Sequence, residues 1–430
     1  MMKHYLRVLA VFAAVILSAP KLAPQAPEKP SGSHNWPAGF RQVLQQNILQ
    51  FWIDHAIDRQ YGGMIGWLDR QGNPIPPGTK SLVQQSRVVW TFSAAYQRYP
   101  LPVYKDVATH TLKFLRQHMW DKKYGGYYWL VDREGRVVDG EKHLYGESFA
   151  TYALAEYARA FNDAHARREA LELFRLIDQK AHDNANGGYF EAFSTDWNHQ
   201  LKNPLALNLP DRKSMNTHIH LLESLTTLYK VTGDPQVRTR VQELFNLCLN
   251  KIVDPRQGYL RLYFSNDWKP AEDSDTSSYG HDIELSWLIT ESAKALGRAD
   301  DPRVKQVALA LVDHTLRDGF NHELGGVYTE GPVEGPAKIK TMSWWVEAET
   351  LVGLLNAYQL TGNRAYRSRF EQQAAFVFDH FVDRQYGEWF RDVQPDGKVT
   401  GNKTDEWKGP YHHARACMEV IQRMGSLGRK

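Results

Sequence analysis

Six stretches of this 430-residue chain repeat one another, and that repetition limits the fold more than any local motif does. DRQYGGMIGWLDRQG starts at Asp58, DKKYGGYYWLVDREG at Asp121 and DNANGGYFEAFSTDW at Asp183. DPRQGYLRLYFSNDW follows at Asp254, NHELGGVYTEGP at Asn321 and DRQYGEWFRDVQPDG at Asp383, with steps of 63, 62, 71, 67 and 62 residues. A unit of this length is one supersecondary element that cannot bury its apolar face alone and must stack on its neighbours. In each unit a glycine turn leads into a short alternating aromatic run, which predicts a small strand pair or an extended loop.

Two helix-period segments separate one copy from the next. They are Phe40–Ala56, Val83–Tyr99, Pro102–Gln117, Tyr145–Phe161, Ala164–Ala181 and Asn216–Thr232 in the first half. The second half gives Pro235–Leu249, His281–Leu296, Pro302–Leu316, Ser343–Thr361, Arg364–Phe381 and Tyr411–Met424. Several open with proline in the first turn, where its missing N–H costs nothing. Twelve helices in six hairpins can spiral openly or close into a ring. No polar capping repeat is visible at either end, so closure is expected: an all-α (α/α)6 barrel over residues 39–430, with short β-hairpins and loops at one end.

The first forty residues read differently. Lys3 and Arg7 precede an apolar run from Val8 to Leu17, too short to span a bilayer comfortably and shaped like a secretory signal. A signal peptide or N-terminal anchor over residues 1–19 is expected, then a spacer over 20–38 stiffened by Pro20, Pro24, Pro27 and Pro30, and hence an exported protein. The formal charge of +3 arises entirely before residue 31, leaving a neutral body with no basic stripe for nucleic acid. No integral membrane domain is expected, and the barrel is expected to act as a monomer. Cys248 and Cys417 both sit inside helical segments, and two such residues read as buried small hydrophobes.

Polar residues concentrate at the start of the second helix of each hairpin. The clusters are Gln84 and Arg87; Tyr145; Asn216, His218 and His220; His281 and Glu284; Trp344, Trp345, Glu347 and Glu349; and Tyr411, His412 and Arg415. In a toroid those helix ends point into one funnel, so six separate clusters converge on a single pocket. Helical spacing sorts the members. Asn216, His220 and Glu223 share a face, with His218 opposite; His412, Arg415 and Glu419 share a face, with His413 turned elsewhere. In SYGHDIELSW, His281 and Glu284 fall in the first turn, with Ser277 or Ser278 placed to cap it. Arg87 can hold a polarised oxygen or pair with a carboxylate on a neighbouring helix. Trp344 and Trp345 are expected to divide labour between core and cavity, and Trp407, in the loop before Tyr411, suits sugar stacking.

This residue set excludes several chemistries. No nucleophilic Ser or Cys has a base partner, and no phosphate-cradling or dinucleotide glycine motif occurs on a strand–helix unit. Among His220, His281 and His412 no two lie three or four apart on one helix, so neither a metal nor another cofactor is expected. What remains is two histidines from different repeats with a carboxylate at hand, a set suited to moving a proton at a carbon beside a carbonyl.

LVQQSRVVWTF, KHLYGESFATYALAEY, KSMNTHIHLLESLT, SYGHDIELSWL, SWWVEAETLVGLLNAY, GEWF and WKGPYHHARACMEVIQ together resemble the cellobiose 2-epimerases within the N-acylglucosamine 2-epimerase superfamily. The resemblance runs from about Phe40 to the C-terminus. It implies a six-hairpin α/α barrel and cofactor-free epimerisation at C2 of the reducing-end glucose of a β-1,4-linked disaccharide. It also implies His281 and His412 as the two acid–base groups on opposite faces of C2, with Glu284 assisting ring opening. His220 and Arg87 would face O1 and O2, and Tyr145, Asn216, Trp344, Trp345 and Trp407 would line the sugar. Glu147 and Glu347 stand where glutamine is expected, and His413 where asparagine is usual. The competing readings are aldose–ketose isomerisation of mannose and fructose, N-acylglucosamine epimerisation, inverting glycoside hydrolysis, and sugar binding without catalysis.

Overall fold

The protein is described by a computed structural model covering residues 35–201, 212–271 and 275–427. The expected signal segment and most of the spacer lie outside the described residues.

Twelve helices alternate between an outer and an inner layer. The outer ones are α1 (Trp36–Gln42), α3 (Pro102–Phe114), α5 (Ala164–Ala181), α7 (Pro235–Leu247), α9 (Pro302–His314) and α11 (Arg364–His380). The inner ones are α2 (Leu82–Arg98), α4 (Leu144–Phe161), α6 (Met215–Thr232), α8 (Tyr279–Ala295), α10 (Trp344–Thr361) and α12 (Tyr411–Leu427). Each inner helix packs on the next inner one, and α12 returns to α2, closing the ring. Inner helices are buried nearly all round, because they face the outer layer on one side and the other inner helices on the rest. Among the described residues no helix is long and apolar enough to cross a membrane.

Two expectations need correction. The barrel begins at Trp36, inside the stretch read as spacer, because the Trp36 ring packs on Phe40, Phe370 and Phe378 at 5.7–6.3 Å. The tightly packed hairpins are also shifted by one helix: α2 pairs with α3, α4 with α5 and so on, and α1 packs on α12. The reason lies in the connections. Residues 99–101 join α2 to α3, whereas α1 reaches α2 through the long glycine-bearing loop, and short connections make antiparallel neighbours. Several outer helices also widen in their last turns into π-helical segments, as at Leu115–Met119, Cys248–Ile252 and Thr315–Gly319.

The repeated loops carry one construction six times. The Asp or Asn that opens each unit accepts from backbone N–H groups two and three residues on, as Asp58 does from Gln60 and Tyr61. In four units a buried lysine clasps that aspartate: Lys80–Asp58 3.0 Å, Lys142–Asp121 3.0 Å, Lys213–Asp183 2.7 Å and Lys403–Asp383 2.8 Å. The strand before each inner helix pairs antiparallel with the aromatic run of the following unit. Lys80–Ser81 lies on Leu130–Val131, Lys142–His143 on Ala192–Phe193, and Arg212–Ser214 on Tyr263–Ser265. Leu68 bridges Thr404, joining the first unit to the last.

A residue near the start of each inner helix fastens the loop above it. The Gln85 amide accepts from Met64 N–H at 2.8 Å and donates to Met64 O at 3.1 Å. Glu147 accepts from Tyr127 N–H, His218 Nε2 from Tyr189 N–H, Asp282 from Leu260 N–H and Glu347 from Val327 N–H, at 2.7–3.1 Å. His413 does the same through Glu388, whose carboxylate takes Trp389 N–H at 2.6 Å. Glu147, Glu347 and His413 are thus loop latches: glutamine can stand for either glutamate because that position needs an acceptor, not a charge, and asparagine for His413 because that position needs a donor to Glu388. His218 holds a loop rather than the pocket, as its helical face predicts.

Candidate active site

Two residues beyond each latch, a side chain points at the barrel axis. The six are Arg87, Phe149, His220, Glu284, Glu349 and Arg415. Above this ring lies a funnel of about 270 Å3 at the N-terminal ends of the inner helices. It is lined by Arg87, Tyr145, Asn216, His220, His281, Glu284, Trp344, Trp345, Trp407 and His412, so all ten residues singled out from the sequence meet in one cavity. Ser343 and Arg391 join them.

The two histidines are held alike. His281 has Nδ1 at 2.6 Å from Ser278 Oγ, and His412 has Nδ1 at 2.7 Å from Glu349 Oε1. Each arrangement leaves Nε2 as the nitrogen available to a ligand. The Trp345 ring stands against both, with centroids 4.7 Å from His281 and 5.8 Å from His412. Ser278 therefore holds the His281 imidazole instead of capping α8, and Ser277 donates to Asp282 at 2.8 Å. Burial, with His220 nearby, pushes His281 down to about 3, and burial together with Arg87 and Arg415 holds His412 well below the usual imidazole range. Both rings are neutral bases at neutral pH.

Beneath them three carboxylates from three repeats converge on one guanidinium. Arg415 Nη2 reaches Glu349 Oε1 at 2.7 Å and Glu284 Oε1 at 2.9 Å, while Nη1 contacts Glu223. Burial opposes ionisation of Glu223, but Arg415 and hydrogen bonds from His220 and Tyr411 outweigh it and hold this carboxyl below its ordinary value. Glu284 goes the other way: burial, reinforced by Glu349, raises it well above the carboxylate range despite Arg415. Its Oε2 has no hydrogen-bond partner among the described residues. Two anions cannot both be neutralised by one cation already shared with Glu223, so the proton settles on Glu284. That carboxyl sits between His220 Nε2 and His412 Nδ1, 3.9 Å from each.

On the opposite wall Arg87 donates to Tyr145 Oη at 2.9 Å and to the Trp407 carbonyl at 2.7 Å, and its guanidinium lies 4.3 Å from the Phe149 ring. No carboxylate among the described residues pairs with it, and its Nε–H is unpartnered, so the ion-pair alternative is set aside. Asn216 Oδ1 is likewise buried without a partner. Trp407 stands at the mouth, 5.8 Å from Trp129 and 5.9 Å from Tyr145. Trp344 is the core member of the tandem pair, buried under Arg391 and Lys408, while Trp345 is half-exposed to the cavity.

Sequence reasoning placed Glu349 and Arg415 in clusters without assigning them work, and gave Glu223 only a shared face. For Glu349 and Arg415 the signal was a common spacing of two residues beyond a latch; Glu223 had only the face it shares with His220. Helical spacing also said nothing about convergence between helices. His220, His281 and Glu284, and separately Glu284, Glu349 and His412, bring ligand atoms within 4.8 Å of one another and could hold a divalent cation.

A helical barrel whose funnel gathers neutral imidazoles, a shared carboxyl proton, a guanidinium and aromatic planes defines a carbohydrate isomerase of the (α/α)6 class. A profile of the N-acylglucosamine 2-epimerase family matches residues 63–416. The cellobiose 2-epimerase of Bacteroides fragilis is 34% identical over 394 residues, spanning 89% of this chain and 97% of that protein. The solved cellobiose 2-epimerase from Bacillus thermoamylovorans superposes with a TM-score of 0.85 at 33% identity, covering 90% of this chain and 99% of that one. A D-mannose isomerase from Marinomonas mediterranea is 24% identical over 396 residues, 89% of this chain and 96% of that protein. The chain belongs to the N-acylglucosamine 2-epimerase family and is a carbohydrate 2-epimerase.

Proposed function

We propose that the substrate is a β-1,4-linked disaccharide with a reducing-end glucose, cellobiose first among them, and that the enzyme inverts C2 without a cofactor. One of His281 and His412 takes the C2 proton from the ring-opened aldehyde through Nε2. The electron pair moves into a C1–C2 double bond, and the negative charge that develops on O1 meets Arg87 and Tyr145. The other histidine, charged by the Glu284 proton, returns a proton to the opposite face of the cis-enediol, and the carbonyl re-forms. Each histidine changes role with direction. On ring opening Glu284, kept protonated at neutral pH, suits donation to the ring oxygen and takes up the O1 hydroxyl proton in exchange, so it again holds a proton for the histidine. Trp345 and Trp407 offer planes for the two sugar rings.

The observation that carries this reading is the matched pair of neutral imidazoles, both tethered at Nδ1 and both beside Trp345, with the Glu284 carboxyl between His412 and His220. NMR of products from cellobiose, lactose, mannose and N-acetylglucosamine tests it. Glucosyl-mannose from cellobiose is expected. A ketose product without a C2 epimer would assign the proton's return to C1 and make the enzyme an aldose–ketose isomerase, and free monosaccharides would make it a hydrolase. We propose in addition export through the N-terminal segment and action as a monomer.

A further inference from the structure

The barrel contains a second cavity, of about 280 Å3, between the C-terminal halves of the inner helices. Its deep wall is formed by Trp90, Glu223, Trp287 and Arg415, and its rim carries opposite charges such as Lys230 and Glu291. Glu223 and Arg415 line this rear cavity, and the residues they contact, His220 and Glu284, line the funnel, so one layer of side chains separates the two. Two buried donors of residues in that wall, the Trp90 indole N–H and the Arg415 Nε–H, have no acceptor among the described residues. A cavity of this size lined by Glu156, Arg159, Glu223 and Arg415 is a site for water.

From that wall a chain of exchangeable groups leads forward. Glu223 Oε2 accepts from His220 Nδ1 at 3.0 Å, His220 Nε2 faces Glu284 Oε2 at 3.9 Å, and Glu284 Oε1 faces His412 Nδ1 at 3.9 Å. We propose that the rear cavity is a proton port, through which water exchanges hydrons with the funnel cluster by way of Glu223 and His220 while a sugar closes the front.

The step balances in both directions. The Glu284 O–H closes on His220 Nε2 and transfers its proton; the Nδ1–H of the same ring passes to Glu223; Glu223 releases it to water, which becomes hydronium. A solvent hydron entering by the reverse order restores Nδ1–H and the Glu284 O–H, so no net charge is moved per cycle. Arg415 holds Glu223 and Glu284 at the two ends of the path and carries no proton itself.

The inference rests on the C2 proton chemistry proposed above. It is tested by steady-state turnover of cellobiose by the wild-type enzyme, by Thr227→Phe inside the cavity and by Gln422→Trp at its rim. Thr227→Val keeps the volume and serves as control, and thermal unfolding checks each fold. With the port shut, the cluster regains the proton that Glu284 gives up only through the funnel, after the sugar has left. At saturating sugar kcat should then fall severalfold in the plugged variants with KM little changed, and stay at the wild-type value in Thr227→Val. An equal kcat in the wild type and both plugged variants would overturn the port. Failure of the wild type itself to exchange or epimerise C2 would instead overturn the epimerase reading.

Discussion

Replacing Glu147 and Glu347 by glutamine should make this protein more stable, and only on the alkaline side. Both carboxyls are fully buried, and burial raises each from 4.5 to about 8. The folded state therefore keeps a proton on each up to about pH 8, while the unfolded chain loses it near 4.5. Between those values the native state binds more protons, so stability falls as pH rises, at most about 1.4 kcal/mol per pH unit per site. The protonated carboxyl's advantage is whole below pH 4.5 and gone above about 8. The gap of 3.5 units, 8 less 4.5, sets a ceiling of roughly 5 kcal/mol per site. Glutamine has the same shape and never ionises, and Gln85 already does this work in the first repeat with hydrogen bonds to both Met64 N–H and Met64 O. Urea unfolding of E147Q, E347Q and the double variant, followed by circular dichroism from pH 5 to pH 8.5, gives the test. The variants should match the wild type near pH 5 and exceed it increasingly toward pH 8. A stability difference that does not change with pH would refute the buried-proton argument.

Glu349→Gln should lower kcat by about 10- to 100-fold with little change in KM, because Glu349 orients His412 through Nδ1 and touches no part of the funnel surface reserved for sugar. The rate should also fall as pH rises through the raised Glu284 value, since the shared proton is then lost, while the depressed histidines keep the acid side active well below pH 6.5; a pH–rate profile with an imidazole-like acid limb would contradict this. Gly188→Ala should cost several kcal/mol in thermal unfolding, because its φ is +73° and a Cβ there would lie 2.5 Å from Trp268 and 2.8 Å from the latch nitrogen of His218. An unchanged melting temperature would show that the loop yields more easily than its packing implies.

The period of the repeats and the alternation of plain and polar helix starts were enough to read a closed barrel with one funnel, because both depend on spacing along the chain. Spacing also separated His218 and His413 from His220 and His412. Latch and axis positions are harder to tell apart, since Glu147 and Glu347 lie on the same helix ends as the funnel residues, and inner helices buried nearly all round show no solvent face to mark which side is the pocket. The shift in hairpin pairing follows from loop lengths that the helix boundaries already contained. What no single-helix pattern could reveal was convergence across repeats. Three carboxylates from α6, α8 and α10 meet on Arg415 of α12, and only that meeting decides that Glu284 holds the proton. Ser278 reads as a helix cap in the sequence because its other partner, His281, lies where a capped backbone N–H would otherwise compete for it.

The account depends on His281 and His412 serving opposite faces of one carbon. Hydrogen exchange at C2 in deuterated water, measured separately from each epimer with the wild type, His281→Ala and His412→Ala, tests that most directly. The wild type should exchange both epimers. Each variant should lose net epimerisation by about 10³-fold or more while still exchanging C2 of one epimer, and the two variants should keep opposite epimers. If both variants exchange the same epimer, or either one still interconverts the two at near wild-type rate, the two-face assignment is wrong.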